Sequence, residues 1–159
     1  MKKFFLNVFL LSGLVLSIAS CSSDDDGGNS GAADQLVVTI DGETLTFTTI
    51  LVDEETYTDD GETYTELYVT ATIGTDVSRI IQFDLELGDT GADALYYFQY
   101  TVDGQSYFYN FDDAFNAVVT VNNGSRLTMT FSGDLEGYDQ EAQENVSITL
   151  SNGSVDVAY

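Results

Sequence analysis

Histidine and tryptophan are absent from the 159-residue chain, cysteine occurs once, and only four residues are basic. Without histidine there is no Ser-His-Asp or Cys-His nucleophile system and no imidazole to ligate zinc or iron. Lysine stops at Lys3, so neither a Ser-Lys pair nor a lysine-bearing phosphate loop can be built farther along. Beyond position 21 the cations are Arg79 and Arg126, against 27 acidic residues; setting Lys2 and Lys3 aside takes the formal charge from −23 to −25. A surface of that sign repels phosphate backbones and anionic membranes, which excludes nucleic acid as a partner. The simplest role of so many carboxylates is to keep the outward faces of a domain soluble.

The basic pair Lys2-Lys3 precedes an apolar run from Phe4 to Ile18 broken only by Asn7, Ser12, Gly13 and Ser17. That run falls short of the about 20 residues a helix needs to cross a ~30 Å hydrocarbon core, and it reads as a cleaved signal. It ends Ile18-Ala19-Ser20-Cys21, which resembles the lipobox of bacterial lipoproteins. The resemblance implies that residues 1–20 are removed and that Cys21 carries diacylglycerol, with a further acyl chain such as palmitate on its amine. Each buried CH₂ contributes about 0.8 kcal/mol, so two or three chains anchor the protein to a membrane stably. Lipidation also consumes the single thiol and leaves no disulfide, cysteine nucleophile or thiolate metal site.

Residues 21–35 continue with Ser22, Ser23, Asp24, Asp25 and Asp26 and then a Gly-, Asn- and Ala-rich stretch. This composition buries too little surface to offset chain entropy and predicts a flexible tether. Ser22 to Asp26 resembles the export signal of Bacteroidetes-type lipoproteins. The resemblance implies an outer-membrane protein facing the cell exterior, the periplasmic face being the alternative.

Residues 36–159 are the size of one domain with one core. Ten Tyr, ten Phe and abundant Val, Ile and Thr favour strands. Alternation recurs: Leu67, Val69, Ala71 and Ile73 oppose Tyr64, Glu66, Tyr68, Thr70 and Thr72, and Ile81, Phe83, Leu85 and Leu87 oppose Gln82, Asp84 and Glu86. Leu127, Met129 and Phe131 repeat the pattern, as do Val146, Ile148 and Leu150. Turns are expected at Asp41-Gly42, Asp103-Gly104, Asn123-Gly124 and Asn152-Gly153. Thr44 to Val52 reads as one strand, Asp53 to Glu62 as an acidic connection, and Asp112 to Ala117 as a place for a helical turn. An all-β domain of about nine or ten short strands follows, an antiparallel β-sandwich with a small barrel as alternative.

Paired carboxylates such as Asp84 and Glu86 are the one catalytic device left, as a carboxylate-dependent hydrolase would require. With so many acids such pairs arise by chance, Gln82 and Arg79 define no pocket beside them, and no enzyme is expected. The acidic groups at Asp53 to Glu62 and Asp89 to Asp93 lack the Asp-x-Asp-x-Asp-Gly order of an EF-hand, so neither metal nor other cofactor is expected.

The stretch Tyr96 to Phe111 is the densest in aromatics. With Asp103-Gly104 as the turn, Val102 faces Gln105, Tyr100 faces Tyr107, Phe98 faces Tyr109 and Tyr96 faces Phe111, so six rings share a core face. The opposite face carries Tyr97, Gln99, Thr101, Ser106, Phe108 and Asn110. Tyr97 and Phe108 beside the amides of Gln99 and Asn110 form the candidate contact surface for a glycan or protein ligand.

The order of elements resembles a family of uncharacterised Bacteroidetes-type lipoprotein domains. These open with a strand, turn and strand, as in Val38 to Phe47. They close with a Thr-Phe-Ser-Gly strand, here Thr130 to Gly133, and an Ile-Thr-Asn-Gly-x-Phe-type ending, here Ile148 to Val157. Leu150-Ser151 lengthens that ending, and Val155 replaces its usual aromatic. The resemblance implies a β-rich fold and assigns no active residues. The expected role is non-enzymatic, binding or structural, with a glycan-binding accessory of polysaccharide uptake as the alternative.

Overall fold

The computed structural model describes residues 34–109 and 115–159. Cys21 to Asp26 and Asn110 to Ala114 lie outside them; of the helical turn expected at Asp112 to Ala117, Asn116 and Ala117 are instead strand, paired with Ser132 and Phe131. Ten strands follow in chain order: β1 Gln35–Ile40, β2 Glu43–Phe47, β3 Thr49–Asp59, β4 Glu62–Ile73, β5 Asp76–Glu86, β6 Leu95–Val102, β7 Gln105–Phe108, β8 Asn116–Asn122, β9 Arg126–Asp139 and β10 Glu144–Ala158. All pairings are antiparallel, in the order β2-β1-β10-β9-β7-β6-β5-β4-β3. On the side of β9 away from β10, its first half pairs with β8 and its second with β7.

The architecture is the antiparallel sandwich that the alternation predicts, and it is not closed into a barrel. Its two end strands, β2 and β3, are successive in the chain and meet at Thr48, where no ladder joins them. Thr44 to Val52 is therefore two strands. Up to Phe47 the chain pairs with β1, and from Thr49 it pairs with β4, Thr48 N donating to Thr72 O at 3.1 Å. Among the described residues no helix is long and apolar enough to cross a membrane.

The apolar faces meet in one core. Phe98 of β6, fully buried, stacks 6.0 Å from Phe83 of β5 and lies 4.9 Å from Phe131 of β9 and 5.0 Å from Phe115, ring centre to ring centre. β6 and β9 share no ladder, so these rings bridge strands from opposite parts of the sheet.

Two bulges keep the apolar residues pointing inward. In β10, Leu150 pairs with Gly133 but Gly153 with Phe131, one residue more on β10 than on β9. The surplus falls at Asn152, exposed at φ 52°. Asn152-Gly153 is thus a bulge inside a continuous strand and not the expected turn. A one-residue shift exchanges the two faces of a strand, so this bulge lets Ile148 and Leu150 before it, and Val155 and Val157 after it, all point inward. In β6, Asp84 pairs with Tyr97 and Leu85 with Leu95. Leu95 turns inward and Tyr96, expected on the core face, is 43% exposed with its hydroxyl donating to Glu86 and Asp89.

Asn122 is the one buried polar side chain among the described residues, and all its capacity toward the loop is used. Its amide donates to the carbonyls of Glu86 (2.7 Å) and Asp89 (3.1 Å), and its oxygen accepts from the Tyr159 hydroxyl (3.2 Å). A two-way backbone bridge between Gly91 and Val119 fastens the same loop to β8.

Asn122→Ala removes these three hydrogen bonds, the Glu86 carbonyl keeping only the Asp89 N–H at 3.1 Å, and is expected to lower stability by about 1–3 kcal/mol in urea unfolding. In Gly153→Ala the new methyl would lie 2.5 Å from the Phe131 ring and 2.6 Å from its carbonyl. A loss of about 1–3 kcal/mol is expected, and an unchanged midpoint would show that the bulge has room the geometry denies it.

Candidate functional site

The hairpin of β6 and β7 pairs as its turn dictates: Val102 with Gln105, Tyr100 with Tyr107 and Gln99 with Phe108. Asp103 (φ 50°) and Gly104 (φ 85°) supply the two positive φ angles of the type I′ turn. Phe98 and Tyr100 are buried, and Tyr107 and Tyr109 pack against the core. On the opposite side the structure brings Tyr97, Gln99 and Phe108 together as expected, with Thr101 and Ser106 beside them. Of that candidate set, Asn110 lies outside the described residues.

Phe108 is 43% exposed and its ring centre is 6.3 Å from that of half-buried Tyr97, the planes tilted by 55°. Gln99 is tied up within the surface. Its oxygen accepts from the Tyr97 hydroxyl, and its amide nitrogen donates to Thr101 (2.6 Å) and Ser106 (3.0 Å). The patch is therefore a preorganised ring pair over a closed hydrogen-bond chain. It offers stacking first, and a ligand gains the amide only by displacing an internal partner.

Pairing of β6 with β5 and of β5 with β4 adds neighbours that single-strand patterns did not reveal. Gln82 pairs with Gln99, and Tyr68, Asp84 and Tyr97 form one row across three strands. Partial burial and the nearby Glu66 carboxylate raise the pKa of Asp84. Burial, then Asp84, raises that of the Tyr97 hydroxyl. On the adjoining ribbon Tyr57 donates to Glu55, Tyr68 donates to Glu66, and the two hydroxyls lie 3.0 Å apart. The bond to Glu66, then the one shared with Tyr57, raises the pKa of Tyr68 far above that of a free phenol.

The carboxylate pair Asp84 and Glu86 sits on the outer side of β5 beside tyrosines and glutamine. A separate cleft of about 180 Å³ is lined by Ala92, Asp93, Leu95, Tyr109, Phe115, Asn116, Ala117 and Val118, with Asp93 its one carboxylate among the described residues. The residues Asp53 to Asp59, expected as a loop, are strand, and alternation sends their carboxylates to both sides of β3. Among the described residues no three acidic, histidine or cysteine side chains are grouped to hold a metal ion.

For Asp84 the folded pKa lies above the ordinary 3.8, so the charged form costs stability at neutral pH. The cost disappears as pH falls through the raised value toward 3.8. Asp84→Asn is expected to be more stable than the parent at pH 7, with the difference closing in acid; equal stability at pH 7 would contradict it.

The chain matches no protein-family model, and no curated protein is significantly similar to it.

Proposed function

We propose that this is a lipid-anchored binding domain of the outer membrane, displayed toward the cell exterior and without catalytic activity. The observation that carries the reading is the placement of the single cysteine, Cys21, directly after Ile18-Ala19-Ser20 and an apolar leader. Three further features support it. Residues 22–34 have the composition of a spacer, and Asp24 to Asp26 stand where an export signal belongs. The chain also lacks the histidine on which most nucleophile and metal chemistry relies.

Cells fed an alkyne-bearing palmitate are expected to label the parent protein, whereas Cys21→Ser abolishes the label and releases the protein from washed membranes. Label retained in Cys21→Ser would overturn the anchor. With Asp24 to Asp26 replaced by Asn, protease added to intact cells is expected to leave the protein uncut while still digesting the parent. Equal digestion would remove the export role.

A second reading, a glycan-binding accessory of polysaccharide uptake, is favoured by the exposed ring of Phe108 tilted against Tyr97. An apolar ring face beside fixed hydroxyls suits the C–H-rich face of a sugar. On a glycan array, Phe108→Ala is expected to weaken any bound glycan by about tenfold or more, a loss of roughly 1.4 kcal/mol. Binding that survives both Phe108→Ala and Tyr97→Ala would place the ligand elsewhere.

A further inference from the structure

β3 is the end strand of the sheet and its longest open margin. It pairs with β4 along its whole length, Thr49 with Thr72 through Asp59 with Glu62, and among the described residues no strand pairs with its other side. Every second residue of an antiparallel strand turns its N–H and C=O away from the partner, so this margin presents unpaired donors and acceptors ready for another strand. The opposite end strand, β2, has 5 residues to the 11 of β3.

The side chains along this margin specify what fits. Ile50 and Val52 are half-buried against the core and continue it to the edge, while Leu51 is 58% exposed on the other face. Asp53, Glu54 and Glu55 follow, all exposed. Neither arginine neutralises them: Arg79 pairs with Glu43 at 3.1 Å and Arg126 with Asp156 at 2.6 Å. A second copy of this chain would set like charges directly opposite each other and is disfavoured. A strand that alternates basic and apolar residues would set its cations on the outer face with Asp53 and Glu55 and its apolar residues on the core face with Ile50 and Val52.

We propose that the open edge of β3 binds an extended, cationic segment of a partner protein by strand addition. Backbone hydrogen bonds supply the attachment, and Asp53 and Glu55 select for positive charge. The site depends neither on the membrane anchor nor on the Tyr97 and Phe108 surface.

The test uses the full-length protein in detergent and a fluorescent ten-residue peptide of alternating lysine and valine. Saturable binding is expected, with slowed amide exchange confined to residues 49–59. A peptide of the same charge with alternate backbone nitrogens methylated is expected to bind about tenfold more weakly or worse, because it cannot complete the ladder. Asp53→Asn combined with Glu55→Gln is expected to weaken the parent peptide by about tenfold at low salt and less at high salt. Equal binding of the methylated peptide would reduce the interaction to charge attraction and overturn the proposal. So would exchange protection elsewhere in the sheet, or a free protein already dimeric through β3.

Discussion

Phe98 has to meet Phe131 across the core, and the rest of the domain depends on that kind of contact. Each strand has one apolar face, no disulfide supplements the core, and the burial of those faces has to outweigh the entropy of ordering the chain. Any strand that loses its phase presents polar residues to the core and apolar ones to solvent. The bulge at Asn152 and the irregular pairing at Tyr96 are where the chain bends to follow the sandwich without losing that phase. Gly153, with no side chain of its own, lies against the ring and carbonyl of Phe131 and lets the two strands approach there.

The second constraint is charge. Both arginines are engaged in ion pairs, so the carboxylates of the outer surface draw on other donors. Tyrosine supplies several of them: Tyr57 to Glu55, Tyr68 to Glu66, and Tyr96 to Glu86 and Asp89. A phenol beside a carboxylate holds its proton more tightly. Tyr96 is accordingly pushed up to about 12, first by burial and then by its two acidic acceptors. Tyrosine thus does part of the work of a cation while leaving the surface strongly anionic. That surface keeps copies apart and favours partners of opposite sign.

These two constraints give the outer face its character. The β6–β7 hairpin offers a tilted ring pair on a fixed polar floor, and the β3 margin offers unpaired backbone flanked by acids. The first suits a ligand that stacks and the second a ligand that extends the sheet. Both fit the proposed reading of a domain held at a membrane by a tether.

Local sequence determined the class of fold, the inward faces of β4, β5 and the start of β9, and the hairpin turns at Asp41-Gly42 and Asp103-Gly104. These follow from alternation and from turn chemistry, which involve near neighbours alone. It also brought Tyr97, Gln99 and Phe108 onto one face, since a two-residue turn fixes the register beside it. Tertiary structure decided the rest. Asn152-Gly153 has the composition of a turn but serves as a bulge, because β1 and β9 pair with β10 on both sides of it. Asp53 to Asp59 looks like a loop by charge, yet pairing with β4 holds it as strand, with Thr56 and Thr65 bonded across the ladder at 3.0 Å. The row joining Tyr68, Asp84 and Tyr97, and the open edge of β3, exist only once strand order is set. Strand order is settled by the burial of all the faces together, which no single segment encodes.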